Sequence, residues 1–290
     1  MTTRRQFLRT AALAAAASRA AQGAPSPYQI GCYTRPWVKY DYRTALDAIA
    51  EAGYRYAGLM NTNTPEKWII GATSTPEHAR QVGQECKQRN LEIASAYCGG
   101  IGAGKSLQAA ITDLENIIDN CAIAGVKNIL MGGTSSPEEF DNYYKAIAEC
   151  CPRAAEKGIG LSIKPHGGLN PDGAACRKII QKVNQPNFRV WYDPGNIFYY
   201  SNGELDPIDD APQVDGLVIG ASIKDYQHPK NVNITPGDGQ VDFPKVMARL
   251  KQGGFTTGPL IVECLAPGDL KETVAEAKRA RKFLGNLTNR

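Results

Sequence analysis

Residues 160–168 read Gly-Leu-Ser-Ile-Lys-Pro-His-Gly-Gly, an apolar run that ends in a lysine and a histidine two positions apart. Alternate residues of an extended chain point to one side, so Lys164 and His166 should emerge together. Three later apolar runs end in the same way. Asp193 and Asn196 follow FRVWY, Ser222 and Lys224 close LVIGASIK, and Glu263 lies within PLIVECL. Carboxylates and lysines gathered in one site suit acid–base chemistry, with a carboxylate taking a proton and a cation stabilising the charge that forms. A different chemistry is spelled by GGIGAGKS, residues 99–106, which matches the phosphate-loop pattern through Lys105 and Ser106.

Positioning these groups falls to a repeating unit. Strands are expected at 28–34, 54–60, 92–98, 126–131, 160–165, 188–193, 217–224 and 259–265. Amphipathic helices are expected near 43–52, 77–89, 106–124, 137–157, 172–183, 243–253 and 269–287, with a weaker signal in the sixth connection, 200–213. Gly53, Gly125, Gly158 and Gly254 supply the usual C-terminal stops. Eight strands separated by helices imply right-handed parallel crossovers. They close into an α/β, single-domain (β/α)8 TIM barrel, the open doubly wound sheet being the alternative. In such a barrel the chemistry lies at the C-terminal strand ends, so the late-strand polar groups should form one wall of a pocket. Loop 61–76 is long for this architecture, as functional loops tend to be.

The stretches KPHGG, YDPGN, IKDY, PGDGQVDF and IVECL occur in the order and spacing of the xylose isomerase-like barrels. Over residues 28 to about 285 the chain resembles that family, most of all exported members described as sugar phosphate isomerase/epimerase. The resemblance implies a TIM barrel acting on a sugar, polyol or keto-sugar. It also implies one divalent metal, Mn²⁺, Mg²⁺ or Co²⁺, held by Glu, Asp, His and Glu from strands five to eight. Those places carry Lys164, Asp193, Ser222 and Glu263 here, so two family ligands are replaced. Asp193 and Glu263 remain as metal ligands, with His166 a substitute. A protonated lysine does not coordinate, but between two mutually repelling carboxylates it takes a cation's place.

The expected reaction is isomerisation, epimerisation or elimination by proton abstraction next to a carbonyl. Glu263 or Asp193 would be the base and Lys164 the electrophile, with His166, Asn196 and Lys224 on the substrate. The alternative is a non-catalytic carbohydrate-binding or accessory barrel that has lost the metal site. Bland roles compete with these: Lys224 paired with Asp225 to tie the rim, and Asn196 ending the Asp-Pro-Gly turn.

Thr3-Arg4-Arg5-Gln6-Phe7-Leu8-Arg9 and the alanine-rich run behind it form a twin-arginine signal pattern over residues 1–24, leaving the barrel to residues 25–290. Cuts after Ala20 or Gly23 and a periplasmic or otherwise exported protein are expected. No later run nears the roughly 20 apolar residues of a membrane span. Losing Arg4, Arg5, Arg9 and Arg19 from 33 basic residues leaves 29 against 29 acidic ones, which gives no electrostatic reason to bind nucleic acid. The eight cysteines lack C-x-x-C spacing and are expected as buried thiols. Export also argues against a nucleotide at GGIGAGKS, which is expected instead to line the sugar pocket or hold an anion on its N–H groups. His78 and His228 are expected on the surface, Asp242 as a helix cap, and Gly237-Asp238-Gly239 as a mobile loop that folds over the pocket.

Overall fold

The computed structural model describes residues 26–64 and 67–288; the expected export signal lies outside them. Strands β1 (Tyr28–Tyr33), β2 (Tyr56–Leu59), β3 (Glu92–Tyr97), β4 (Asn128–Met131), β5 (Gly160–Ile163), β6 (Phe188–Tyr192), β7 (Val218–Ile223) and β8 (Gly258–Val262) pair in parallel, each with the next. β8 returns to β1, so the sheet closes on itself as expected. Around it lie α1 (Tyr42–Glu51), α2 (Pro76–Gln88), α3 (Leu107–Ala124), α4 (Pro137–Glu156), α5 (Gly173–Val183), α6 (Pro194–Tyr200), α7 (Pro207–Asp210), α8 (Phe243–Gln252) and α9 (Leu270–Thr288).

Side-chain oxygens begin most of these helices. Asp41, Thr75, Ser106, Ser136, Asp172 and Asp242 each accept a backbone N–H from the first turn that follows. The sixth connection departs from expectation. Its first helix starts at Pro194 rather than near 200, because Asp193 caps it and proline is preorganised for the first helical position. The rest breaks into α7 and one 3₁₀ turn, Ala211–Val214, which explains the weak periodicity there.

Two layers of apolar packing hold the barrel. The outer one joins strands to helices through residues such as Leu46, Val82, Ile117, Ile147, Phe188 and Leu284. The inner one is small: Tyr33, Met60, Ala94, Leu130, Trp191 and Ile261 fill the lumen. Two of these are large aromatics, and they fit because neighbouring strands present glycine. A side chain at Gly58 would collide with the Tyr33 ring, and one at Gly220 with the Trp191 ring. The lumen is thus a packed floor, and only its C-terminal mouth is open to chemistry. All eight cysteines are buried and unpaired, as expected.

Candidate functional site

The barrel puts four charged residues in equivalent places. Lys164, Asp193, Lys224 and Glu263 are each the first residue beyond β5, β6, β7 and β8. All four are at most 2% exposed. Lys164 Nζ lies 3.1 Å from Asp193 Oδ2 and 2.8 Å from Glu263 Oε2. Lys224 Nζ bridges the same pair at 3.0 and 2.6 Å, and donates to Asn196 Oδ1 at 2.9 Å. The expected bridging lysine is therefore present, and a second one joins it.

Each carboxylate is fully engaged. Asp193 uses Oδ1 to accept the Asn196 N–H that starts α6, and Oδ2 for both lysines. Glu263 accepts from Lys164, from Ser222 Oγ at 2.6 Å and from Arg35 Nη1 at 2.8 Å. Trp191 Nε1 donates to Ser222 Oγ at 3.1 Å, which turns that hydroxyl toward Glu263. Burial alone would raise the Glu263 pKa, but Lys164, Lys224 and Arg35 together hold it well below the usual carboxylate range. For Lys224 burial works the other way, and Asp193 and Glu263 overcome it to raise the ammonium pKa.

A cleft of about 280 Å³ opens above this cluster, lined by Arg35, Met60, Asn61, Trp68, Tyr97, Lys164, His166 and Glu263. Lys164 and His166 do meet there, although at different depths: Lys164 forms the floor and His166 is exposed at the mouth. The imidazole lies between Tyr97 and Tyr200, with ring centroids 6.4 and 5.7 Å away. Partial desolvation between these rings, then the Lys164 and Lys224 ammoniums, lowers its pKa below the ordinary imidazole value, so it is neutral at neutral pH. Asp193 and Asn196 lie beneath the cleft and do not line it. Asn196 does more than end a turn, since its Nδ2 donates to the Pro165 carbonyl and ties α6 to the segment carrying Lys164 and His166.

Several expectations are corrected. Lys224 does not pair with Asp225. Asp225 instead accepts the N–H groups of Tyr226, Gly237, Gly239 and Val241, which pins the Gly-Asp-Gly loop. Asp238, at the centre of that loop, is salt-bridged to Arg279. The phosphate-loop look-alike is also committed elsewhere. Ser106 caps α3, Gly102 donates to Asp113, and Glu139 crowds Gly104, so carboxylates face the loop where an anion would sit. His78 is half-buried and edge-on to Tyr42, while its Nε2–H donates to the Ile69 carbonyl at 2.8 Å. Arg35 and Tyr97 from the first and third strand ends, and Trp68 from the long loop 61–76, join the site, although none of the three stood out as a candidate in the sequence. Arg35 is the second residue past β1 and was open to the same strand-end rule.

The residues present do not fit a divalent metal. Among the described residues no three His, Cys, Asp or Glu side chains are grouped as ligands. The space between Asp193 and Glu263 is taken by two ammonium groups, which repel a cation. No described helix is long and apolar enough to cross a membrane.

Among solved structures, the fold is similar to a xylose isomerase domain protein from Planctomyces limnophilus, at 19% identity and TM-score 0.70 over 91% of this chain and 98% of that one. A D-allulose 3-epimerase from Methylomonas sp. aligns at 17% identity and TM-score 0.70, covering 92% and 100%. A 3-keto-D-glucoside 4-epimerase from E. coli aligns at 16% and 0.64, covering 90% and 98%. No curated protein matches the sequence. The profile of the xylose isomerase-like TIM barrel family matches residues 46–287, and the chain belongs to that family.

Proposed function

We propose that the protein is an exported sugar isomerase or epimerase that moves a proton next to a carbonyl, with a fixed cation cluster in place of a metal. One observation carries the reading: two lysine ammoniums occupy the point between Asp193 and Glu263, in a closed rim beneath a sugar-sized cleft. Sugar epimerases among the fold's neighbours support the substrate class. Lys164 and Arg35 would receive the carbonyl oxygen and stabilise the negative charge that grows on it. Glu263 is the only carboxylate lining the cleft among the described residues, and we assign it as the base. As its cations turn to the substrate oxygen it loses the donors that depress its pKa and becomes a better proton acceptor. His166, neutral, binds a sugar hydroxyl. Asp193 positions both lysines.

Incubation with ketohexoses and aldoses in D₂O, after exhaustive chelation, tests this by nuclear magnetic resonance. Deuterium should enter at the carbon beside the carbonyl, and Glu263→Gln should abolish it. Sugar affinity without exchange at any carbon would overturn the enzyme reading in favour of a binding barrel. Loss of exchange on chelation would overturn the cation-cluster reading.

A further inference from the structure

A second cavity of about 270 Å³ lies beside the cleft, and both are lined by Trp68. Its walls include Tyr42, Thr62, Thr73, Ser74 and His78. Aromatic faces set among hydroxyls suit a sugar ring, whose C–H faces stack on the aromatics while its hydroxyls pair with the rim. A separate observation points to a ligand. Tyr42 is 4% exposed, and its hydroxyl has no hydrogen-bond partner among the described residues. Buried hydroxyls are nearly always satisfied, and Tyr42 is one of the residues that wall this cavity. Asn61, which lines the cleft, likewise has a buried Oδ1 that is unpaired among the described residues.

Trp68 is held where it serves both spaces. It packs on Tyr97 at 5.1 Å between ring centroids, and a side chain at Gly99 would collide with the indole. Gly99, at φ +84°, has the left-handed backbone that glycine favours. Each cavity alone falls below the roughly 300–1,000 Å³ of ordinary small-molecule sites, and Trp68 is the wall they share.

We infer that the second cavity is a subsite for a further sugar unit, so that the preferred ligand is a disaccharide or other glycoside. The inference deepens the sugar reading but does not need catalysis. Calorimetric titration with D-fructose and D-glucose against lactulose, cellobiose and maltose tests it. At least one disaccharide should bind about tenfold more tightly than its monosaccharides. Tyr42→Phe and Thr73→Val should each reduce that preference about three- to tenfold, the effect of one hydrogen bond, with monosaccharide affinity unchanged. Equal affinity for both sizes of sugar, or variants that weaken both alike, would overturn the subsite. Selective disaccharide binding without deuterium exchange would leave the subsite standing and remove only the isomerase reading.

Discussion

The two halves of the barrel mouth differ in kind. The first residues past β1 to β4 are Thr34, Met60, Cys98 and Gly132, none of them charged at neutral pH; past β5 to β8 they are Lys164, Asp193, Lys224 and Glu263, all charged. The early half instead supplies surfaces, Met60, Asn61, Trp68 and Tyr97, with Arg35 its one charged contribution to the cleft among the described residues. Such a split separates the two tasks of a site. A rigid ion cluster in a low-dielectric rim supplies electrostatics already oriented before the substrate arrives, and aromatic walls supply shape.

The largest effect should come from the late half. Lys164→Met removes the ammonium between Asp193 and Glu263, and loss of one such stabiliser costs roughly 10²–10³ in rate. The change should reach the fold as well. Breaking a buried ion pair typically costs about 3–5 kcal/mol, and the retained Lys224 should hold this case to the lower end. Steady-state kinetics together with urea denaturation report both losses. A variant with full stability and full turnover would dissolve the contrast between the halves.

Arg35→Gln should cost less, about tenfold in kcat/KM. A hydrogen bond to a charged group contributes on the order of 1.5–3 kcal/mol, and Arg35, 34% exposed, sits where water can partly replace it. Glu263 would keep three of its donors, so stability should change by less than about 1 kcal/mol. If Arg35→Gln proves as damaging as Lys164→Met, the early half belongs to the electrostatic machinery after all.

The late half was legible because a lysine or carboxylate ending an apolar run stands out at once, as at Lys164 and Glu263. The early half was hidden by two physical facts. Tyr97 ends its strand as an ordinary apolar residue would, and Trp68 comes from loop 61–76 to a seat at Gly99 that no local pattern marks. Lys224–Asp225 misled for a local reason as well. Neighbours on an extended chain face opposite sides, so Lys224 turns to the cluster while Asp225 turns to the loop at 237–241. The phosphate-loop pattern misled because its serine also makes a good helix cap, and capping is what Ser106 does.

The smallest effect on activity should come from a late-half carboxylate outside the cluster. Asp210 ends α7, buried, and accepts the Gly173 N–H at 2.9 Å. Its Oδ2 lies 3.0 Å from the Tyr192 hydroxyl, which is also 2.7 Å from the Pro207 carbonyl. A carbonyl only accepts, so the single hydroxyl proton is shared between Pro207 and Asp210, and that bond offsets the burial of the carboxyl only in part. Burial is the main force raising its pKa to about 6. The folded protein therefore holds the Asp210 proton more tightly than the unfolded chain. That stability is complete below about pH 4 and is lost as pH rises through about 6. A shift of this size corresponds to at most about 3 kcal/mol. Asp210→Asn mimics the protonated acid, since its amide can accept from Gly173 and donate to Tyr192. Denaturation midpoints between pH 4 and 6.5 should fall for the wild type and stay flatter for the variant, with turnover within about twofold. An unchanged pH slope in the variant would show that the proton resides elsewhere, and a large loss of turnover would show that charge anywhere in the late half serves the reaction.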